Sequence, residues 1–216
     1  IEFRQRYIGP LMRKYGNMFR AADCPNDAIT NRMETLDVRM LAWNTAVHSD
    51  MIMWNPAEPV ESAALQLVNV LFSVPQISVR LDRVPSSHAE MIRFWLAFWR
   101  EHRDVLLDGA LQPRSPELMY PLVRADAAGK RAIAVYAPVL VPSGDKLPEL
   151  LILVNGTLQK ELALKLEEDI REGSIRVCNC LGETVSETTA GLERGVHVFD
   201  VPPAGVVLIR KALHPA

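Results

Sequence analysis

The sequence predicts an α/β region followed by an all-β region, and two observations carry this prediction. In residues 1–112, short apolar runs typical of strands alternate with amphipathic stretches typical of helices. Beyond the proline-containing stretch 112–120, apolar residues recur at every second position, in short runs separated by Gly-, Asn- and Pro-rich turns. We therefore expect the last strands and helices of a (β/α)8 barrel in residues 1–112 and an antiparallel β-sandwich domain in residues 113–216.

Composition limits the class of protein. The chain has 216 residues, of which 49% are hydrophobic and 23% are charged, and its formal net charge is -2. This balance gives no reason to expect nucleic acid or a membrane as a partner. Three cysteines are too few for a disulfide scaffold, so Cys178 and Cys180 are interpreted as plain strand residues. The localisation stays unknown, with the cytoplasm favoured over other compartments. No metal or other cofactor is expected.

The first region is expected to contain three strands, at residues 1–7, 17–21 and 45–54. Helices are predicted at residues 28–43 and at residues 88–103, and a further helix is predicted to start near Glu58 and Glu61 and to run to about Ser73. Residues 75–84 are interpreted as a linking segment, after which Ser87 and Glu90 form a capping box. The aromatic residues of the last helix are expected to pack against the outside of the barrel rather than to stack on sugars.

The second region is expected to contain seven short strands and no chemistry. The predicted strands are residues 122–124, 132–141, 150–155, 161–166, 174–179, 195–201 and 206–211.

The stretch of residues 17–27, NMFRAADCPND, holds the strongest candidate site. It is predicted to run from a buried strand into a polar turn that contains Asp23 and Asp27. A carboxylate at the carboxyl end of a buried strand, just before a helix, lies where α/β barrels place their chemistry. Asp27 is also well placed to cap the following helix, which Pro25 prevents from starting earlier. On spacing alone, capping is the favoured role of both aspartates.

Four stretches, FRAADCPNDAITNR, TAVHSDMIMW, LFSVPQISV and FWREHRDVLLDG, resemble the carboxyl-terminal half of the α-galactosidase (melibiase) family of retaining glycoside hydrolases. In that family an arginine precedes the acid/base aspartate on a late barrel strand, and a second acidic residue and a second arginine follow. Arg20, Asp23, Asp27 and Arg32 match this order. The family's usual form has one more residue before the acid and one fewer after it. The resemblance implies that Asp23 is the acid/base and that Asp27 binds substrate, with Asp27 as the alternative acid/base.

Retaining hydrolysis explains why this motif needs a carboxyl group. It uses two carboxyl groups about 5–5.5 Å apart, one as nucleophile and one as proton donor. A proton donor needs a raised pKa, which burial provides and which a nearby cation opposes. Arg20 is therefore expected to bind sugar hydroxyls and not to lie directly against Asp23.

Residues on the flanking strands are expected to complete the sugar subsite. His48 and Asp50 are two positions apart and so face the same way, and the resemblance implies a histidine–serine stretch that lines the pocket. For His48, a hydrogen-bonded role within the core is equally open. Arg4 and Arg6 share a face of the first strand and are assigned to the same subsite. Trp54 is expected either to stack on a sugar ring or to pack.

The family's nucleophile, an aspartate after a lysine–tryptophan pair, does not occur in this sequence. Because the chain opens at Ile1 rather than Met and holds three of eight barrel strands, we expect a carboxyl-terminal fragment that is inactive alone. Its expected partners are the remainder of the barrel and an α-galactoside or related oligosaccharide, with a homo-oligomer left open. The alternatives are a non-catalytic carbohydrate-binding or scaffolding module and a galactosyl transferase of the same superfamily.

Overall fold

A computed structural model describes residues 1–4, 8–23 and 27–212. It divides the chain into two compact units, Ile1–Asp108 and Gly109–Ala216. The division falls a few residues before the boundary expected after residue 112, because the first strand of the second unit begins at Ala110. Within the described ranges, no helix combines the length and the apolar character needed to cross a bilayer.

The first unit is built on a parallel sheet of four strands in the order β1-β2-β3-β4. These strands are β1 Glu2–Phe3, β2 Met18–Arg20, β3 Ala46–Ile52 and β4 Val74–Ile77. Each strand pairs in parallel with its neighbour along the chain. This confirms a parallel α/β arrangement, although the described residues form an open sheet and not a closed barrel.

The prediction of a linking segment at residues 75–84 is wrong at its start, where β4 forms a fourth strand. Pro75 argued against a strand because proline cannot donate a ladder hydrogen bond. β4 lies at the edge of the sheet as described. The residues on either side of Pro75, Val74 and Gln76, pair with β3. A proline is tolerated at such an edge.

A 3-10 helix, Pro10–Lys14, connects β1 to β2, and the described part of the unit also contains four α-helices, three of which correspond to the predicted helices. They are α1 Ala28–Ala42, α2 Val60–Asn69, α3 Ser86–Glu101 and the short α4 Arg103–Leu106. The predicted capping box is wrong, because Pro85 is the N-cap of α3 and no side chain caps it. Ser87 therefore lies inside the first helical turn rather than before it.

The aromatic face of α3 packs, as predicted. Trp95 and Phe98 are buried and meet edge to face, with ring centroids 5.3 Å apart. The Trp99 indole Nε1 donates a hydrogen bond of 3.0 Å to the carbonyl oxygen of Ser73. These aromatic rings therefore contact other residues of the same fold rather than stand free to stack on a sugar.

One face of the sheet packs against an apolar core, and the side chains on the other face point away from that core. An apolar cluster joins the sheet to α1 through Phe19, Val47, Val38 and neighbouring residues, and Phe3 packs against it. Because side chains alternate along a strand, the residues adjacent to Phe3, Phe19 and Val47 project from the opposite face. That face carries mostly polar and charged side chains.

The second unit contains two sheets. The larger has the order β12-β11-β14-β9-β7-β6-β5, and the smaller has the order β13-β10-β8. The strands are β5 Ala110–Arg114, β6 Leu122–Ala127, β7 Lys130–Val135, β8 Leu140–Pro142, β9 Leu150–Asn155, β10 Glu161–Leu166, β11 Ile170–Cys178, β12 Thr184–Leu192, β13 Gly195–Asp200 and β14 Val206–Lys211.

This unit departs from the predicted antiparallel sandwich in three ways. The single strand expected at residues 132–141 is two strands, β7 and β8, which belong to different sheets. β5 and β12 were not predicted, and β12 is exposed along almost its whole length, so it lacks the alternation that marks a half-buried strand. β7 pairs with β9 in parallel, as does β8 with β10, so the sheets are mixed. Cys178 and Cys180 are both buried.

Candidate functional site

The candidate site is a group of charged side chains on the face of the sheet opposite α1, which we call the charged face. Its members are Glu2, Arg4, Arg20, Asp23, His48 and Asp50. Arg20 ends β2 and pairs in register with His48 of β3, and Arg4 directly follows β1. Parallel register therefore brings residues from distant parts of the sequence to the carboxyl-terminal end of one sheet.

Arg20 lies at the centre of the charged face. Its Nη2 donates a hydrogen bond of 2.9 Å to Oδ1 of Asp23. Its Nε lies 3.6 Å from Oε1 of Glu2, and its Nη1 lies 3.7 Å from Oδ1 of Asp50. One guanidinium group thus links carboxylates from β1, from the turn after β2 and from β3.

Asp23 contacts two guanidinium groups. Besides Arg20, the Nη2 of Arg4 lies against Oδ1 of Asp23, whose side chain is 43% exposed. The expectation that Arg20 stays away from Asp23 is therefore wrong, because the turn brings side chains three residues apart together. Adjacent cations stabilise the ionised carboxylate, whereas a proton donor must be neutral.

His48 is buried and hydrogen-bonded within the sheet. Its Nδ1 accepts a 3.2 Å hydrogen bond from the backbone N–H of Asp50. The ring proton is therefore placed on Nε2, which lies 3.1 Å from Oε2 of Glu2. This contact orients the imidazole toward the charged face.

Asp50 is the most unusual residue of the charged face. It is 1% exposed, its Oδ2 has no hydrogen-bond partner among the described residues, and its φ is 58°. A register shift between His48 and Met51 accommodates this left-handed backbone. An unpaired buried carboxylate oxygen and a strained backbone both cost free energy, and such costs concentrate at functional sites. Asp50 is therefore the residue of the charged face whose free-energy cost most strongly indicates a functional role.

Asp27 caps α1. Its Oδ1 accepts hydrogen bonds from the backbone N–H groups of Ile29, at 2.9 Å, and Thr30, at 3.0 Å. Its Oδ2 accepts a 2.6 Å hydrogen bond from the Thr30 hydroxyl, and this bond is the main cause of a lowered pKa of Asp27. The predicted cap is confirmed, and both carboxylate oxygens are engaged in it.

We expect Asp27→Ala to lower the free energy of unfolding by about 1 kcal/mol, the usual contribution of a helix N-cap. The pKa of Asp27 is lower in the folded chain than in the unfolded chain. Its contribution is therefore present above the unfolded pKa and lost as pH falls through the folded pKa. Urea unfolding at pH 7 and at acidic pH measures both effects. A variant whose deficit persisted unchanged in acid would contradict this assignment.

Arg32 and Trp54 are explained by packing. The buried Arg32 in α1 donates from Nη1 to Oδ1 of Asn69 in α2, at 2.5 Å. The buried Trp54 donates from Nε1 to Nδ1 of His88, at 3.0 Å. Of the two roles considered for Trp54, the structure shows packing.

Glu2 was missed by the sequence reasoning. Glu2 lies two positions before Arg4, so the alternation of side chains along a strand places both on one face. This alternation would have predicted Glu2 as a member of the site. Arg6, Cys24 and Pro25 lie outside the described residues. In the part of the chain that the structure describes, no group of three His, Cys, Asp or Glu side chains is arranged to hold a metal ion.

The fold, a parallel α/β unit and a second unit of mixed β-sheets, is similar to that of a glycosyl hydrolase of known structure. The chain is similar to the crystal structure of an Anoxybacillus α-amylase described as giving insights into a new glycosyl hydrolase subclass, with a TM-score of 0.57 and 10% sequence identity. The similarity covers 97% of this chain and 51% of the amylase chain, so this chain spans about half of the amylase's length. At this identity the likeness concerns the fold alone.

Comparisons of the sequence do not assign the chain to a family. No family model matches the chain, and no curated protein matches it. The comparisons therefore support a glycoside hydrolase-like fold and give no support to the α-galactosidase family.

Proposed function

We propose that this chain forms the carboxyl-terminal part of a glycoside hydrolase that cleaves an α-galactoside or a related oligosaccharide. The charged face carries this proposal, because it gathers charged side chains at the carboxyl-terminal end of parallel strands, where α/β enzymes bind substrate. The fold-level likeness to a glycosyl hydrolase is consistent with it. The sequence resemblance supplies the narrower substrate class.

Sugar hydroxyls both donate and accept hydrogen bonds, and the charged face offers both kinds of partner. Asp50 accepts through its free Oδ2, while Arg20 and Arg4 donate. His48 donates from Nε2 once a ligand hydroxyl competes with Glu2. On binding, the charged face would thus exchange contacts among its own charges for contacts to the sugar.

In this proposal Asp23 is the acid/base carboxyl group. Its ion pairs with Arg4 and Arg20 stabilise the charged form, which suits the step in which the carboxylate accepts a proton from water. The protonated form requires that these guanidinium groups turn to the bound sugar. The nucleophile would come from the remainder of the enzyme.

A non-catalytic sugar-binding module is the second candidate, and one observation favours it. Asp23 is half-exposed and held by two cations, which is a poor environment for a proton donor. Both candidates require sugar to bind to the charged face, and they differ in whether Asp23 takes part in chemistry.

Sugar binding is tested by Asp50→Asn in this chain. We expect galactose to bind saturably, and the variant to bind about tenfold more weakly, because an amide is a weaker acceptor than a carboxylate. Isothermal titration calorimetry measures the dissociation constant. Asp82→Asn is the matched control, since Asp82 lies in an exposed pair with Arg80. Equal losses in both variants, or no saturable binding, would refute the sugar site.

A further inference from the structure

A cavity of about 460 Å³ lies at the amino-terminal ends of β2 and β3. Its polar lining residues are Arg13, Lys14, Asn17, Asn44 and Thr45. The cavity lies at the end of these strands opposite Arg20 and shares no lining residue with the charged face. Its volume is within the range of about 300–1,000 Å³ typical of small-molecule sites.

The described side chains that line the cavity include two cations and no carboxylate. Neither Arg13 nor Lys14 forms an ion pair with any described residue. Arg13 is held in place by a hydrogen bond of 3.4 Å from Nη1 to the carbonyl oxygen of Ala42. Two cations that line the same cavity attract an anion.

Two exposed aromatic residues flank the lining in sequence. Tyr15, 64% exposed, lies between Lys14 and Gly16, and Trp43, 78% exposed, directly precedes Asn44. Trp43 also has a φ of 53°, a backbone conformation that is an outlier for a bulky side chain. An exposed indole that is adjacent in sequence to a lining residue offers an apolar ring face with a polar edge.

We propose that this cavity binds a small anionic saccharide, either a sugar phosphate or a uronate. The anionic group pairs with Arg13 and Lys14, the sugar hydroxyls bond to the amides of Asn17 and Asn44, and the sugar ring lies beside Trp43. This site does not depend on the proposed function, because it uses none of the residues of the charged face.

Calorimetric titration of the chain with four probes tests the ligand class. The probes are glucose 6-phosphate, glucuronate, glucose and inorganic phosphate. We expect at least one anionic sugar to bind about tenfold or more tightly than glucose and phosphate, because it alone uses both the cations and the polar lining. Its binding should weaken with added salt. Tighter binding of glucose 6-phosphate would identify the ligand as a sugar phosphate, and tighter binding of glucuronate would identify it as a uronate. Equal binding of phosphate or glucose, or no binding, would overturn the proposal.

Variants locate the site. Arg13→Met and Trp43→Ala are each expected to weaken binding about tenfold, whereas Arg93→Met, which removes an exposed arginine on α3 outside the cavity, should not. Trp43→Gly removes the indole and relieves the positive φ together, so it should unfold at a higher temperature yet still lose binding. Asp50→Asn should leave this binding unchanged, which separates the two sites. If folded Arg13→Met or Trp43→Gly bound the anionic sugar with unchanged affinity, the proposed site would be wrong.

Discussion

Replacing Asp23 with Ala in the full-length enzyme that contains this chain is expected to slow hydrolysis of an α-galactoside with a poor leaving group by about 10²–10⁴-fold. The reason is that a poor leaving group departs only when its oxygen is protonated. A good leaving group needs less protonation, so an activated aryl galactoside should retain far more of its turnover. Steady-state kcat and kcat/KM on both substrates measure the difference.

The control for this experiment is Asp82→Ala, which removes an exposed aspartate of the same unit and should leave both rates unchanged. Equal losses on the two substrates in Asp23→Ala would mean that Asp23 only positions Arg4 and Arg20. Full activity would favour the non-catalytic module, in which the charged face binds sugar without chemistry.

Replacing Arg20 with Met is expected to lower the free energy of unfolding by about 3 kcal/mol, since removing one partner of a buried ion pair leaves an uncompensated charge. Asp50 is 1% exposed, and Arg20 is its nearby cation among the residues that the structure describes. Adding Asp50→Asn should recover much of the loss, because a neutral amide needs no counter-charge. Urea unfolding of both single variants and the double variant gives the coupling free energy.

Arg80→Met is the matched control, because Arg80 and Asp82 form an exposed pair whose side chains are 63% and 64% accessible. Exposed pairs contribute about 0–1 kcal/mol, so this variant should unfold almost as the parent does. If Arg20→Met were no less stable than Arg80→Met, or if Asp50→Asn brought no recovery, Arg20 would not be the electrostatic centre of the charged face.

Local patterns in the sequence predicted what depends on neighbouring residues. The apolar spacing of α1 and its cap at Asp27 are local features, since a helix turn and its first hydrogen bonds involve residues within four positions. The aromatic face of α3 was likewise predicted to pack because its apolar residues repeat with the helical period. The change from strand–helix alternation to closely spaced strands similarly predicted two regions of different kind.

Strand partners and charge neighbours were decided by the tertiary structure. Nothing local distinguishes β4 from a linker, because the edge position that tolerates Pro75 is a property of the assembled sheet. The contact of Arg20 with Asp23 and Asp50, and the part played by Glu2, likewise arise only once parallel register sets three strands side by side. The sequence by itself determined the main helices, most of the strands and the chemical types of the site residues other than Glu2. Their mutual distances were decided by the tertiary structure, because the electrostatic environment of a carboxylate depends on neighbours that are remote along the chain.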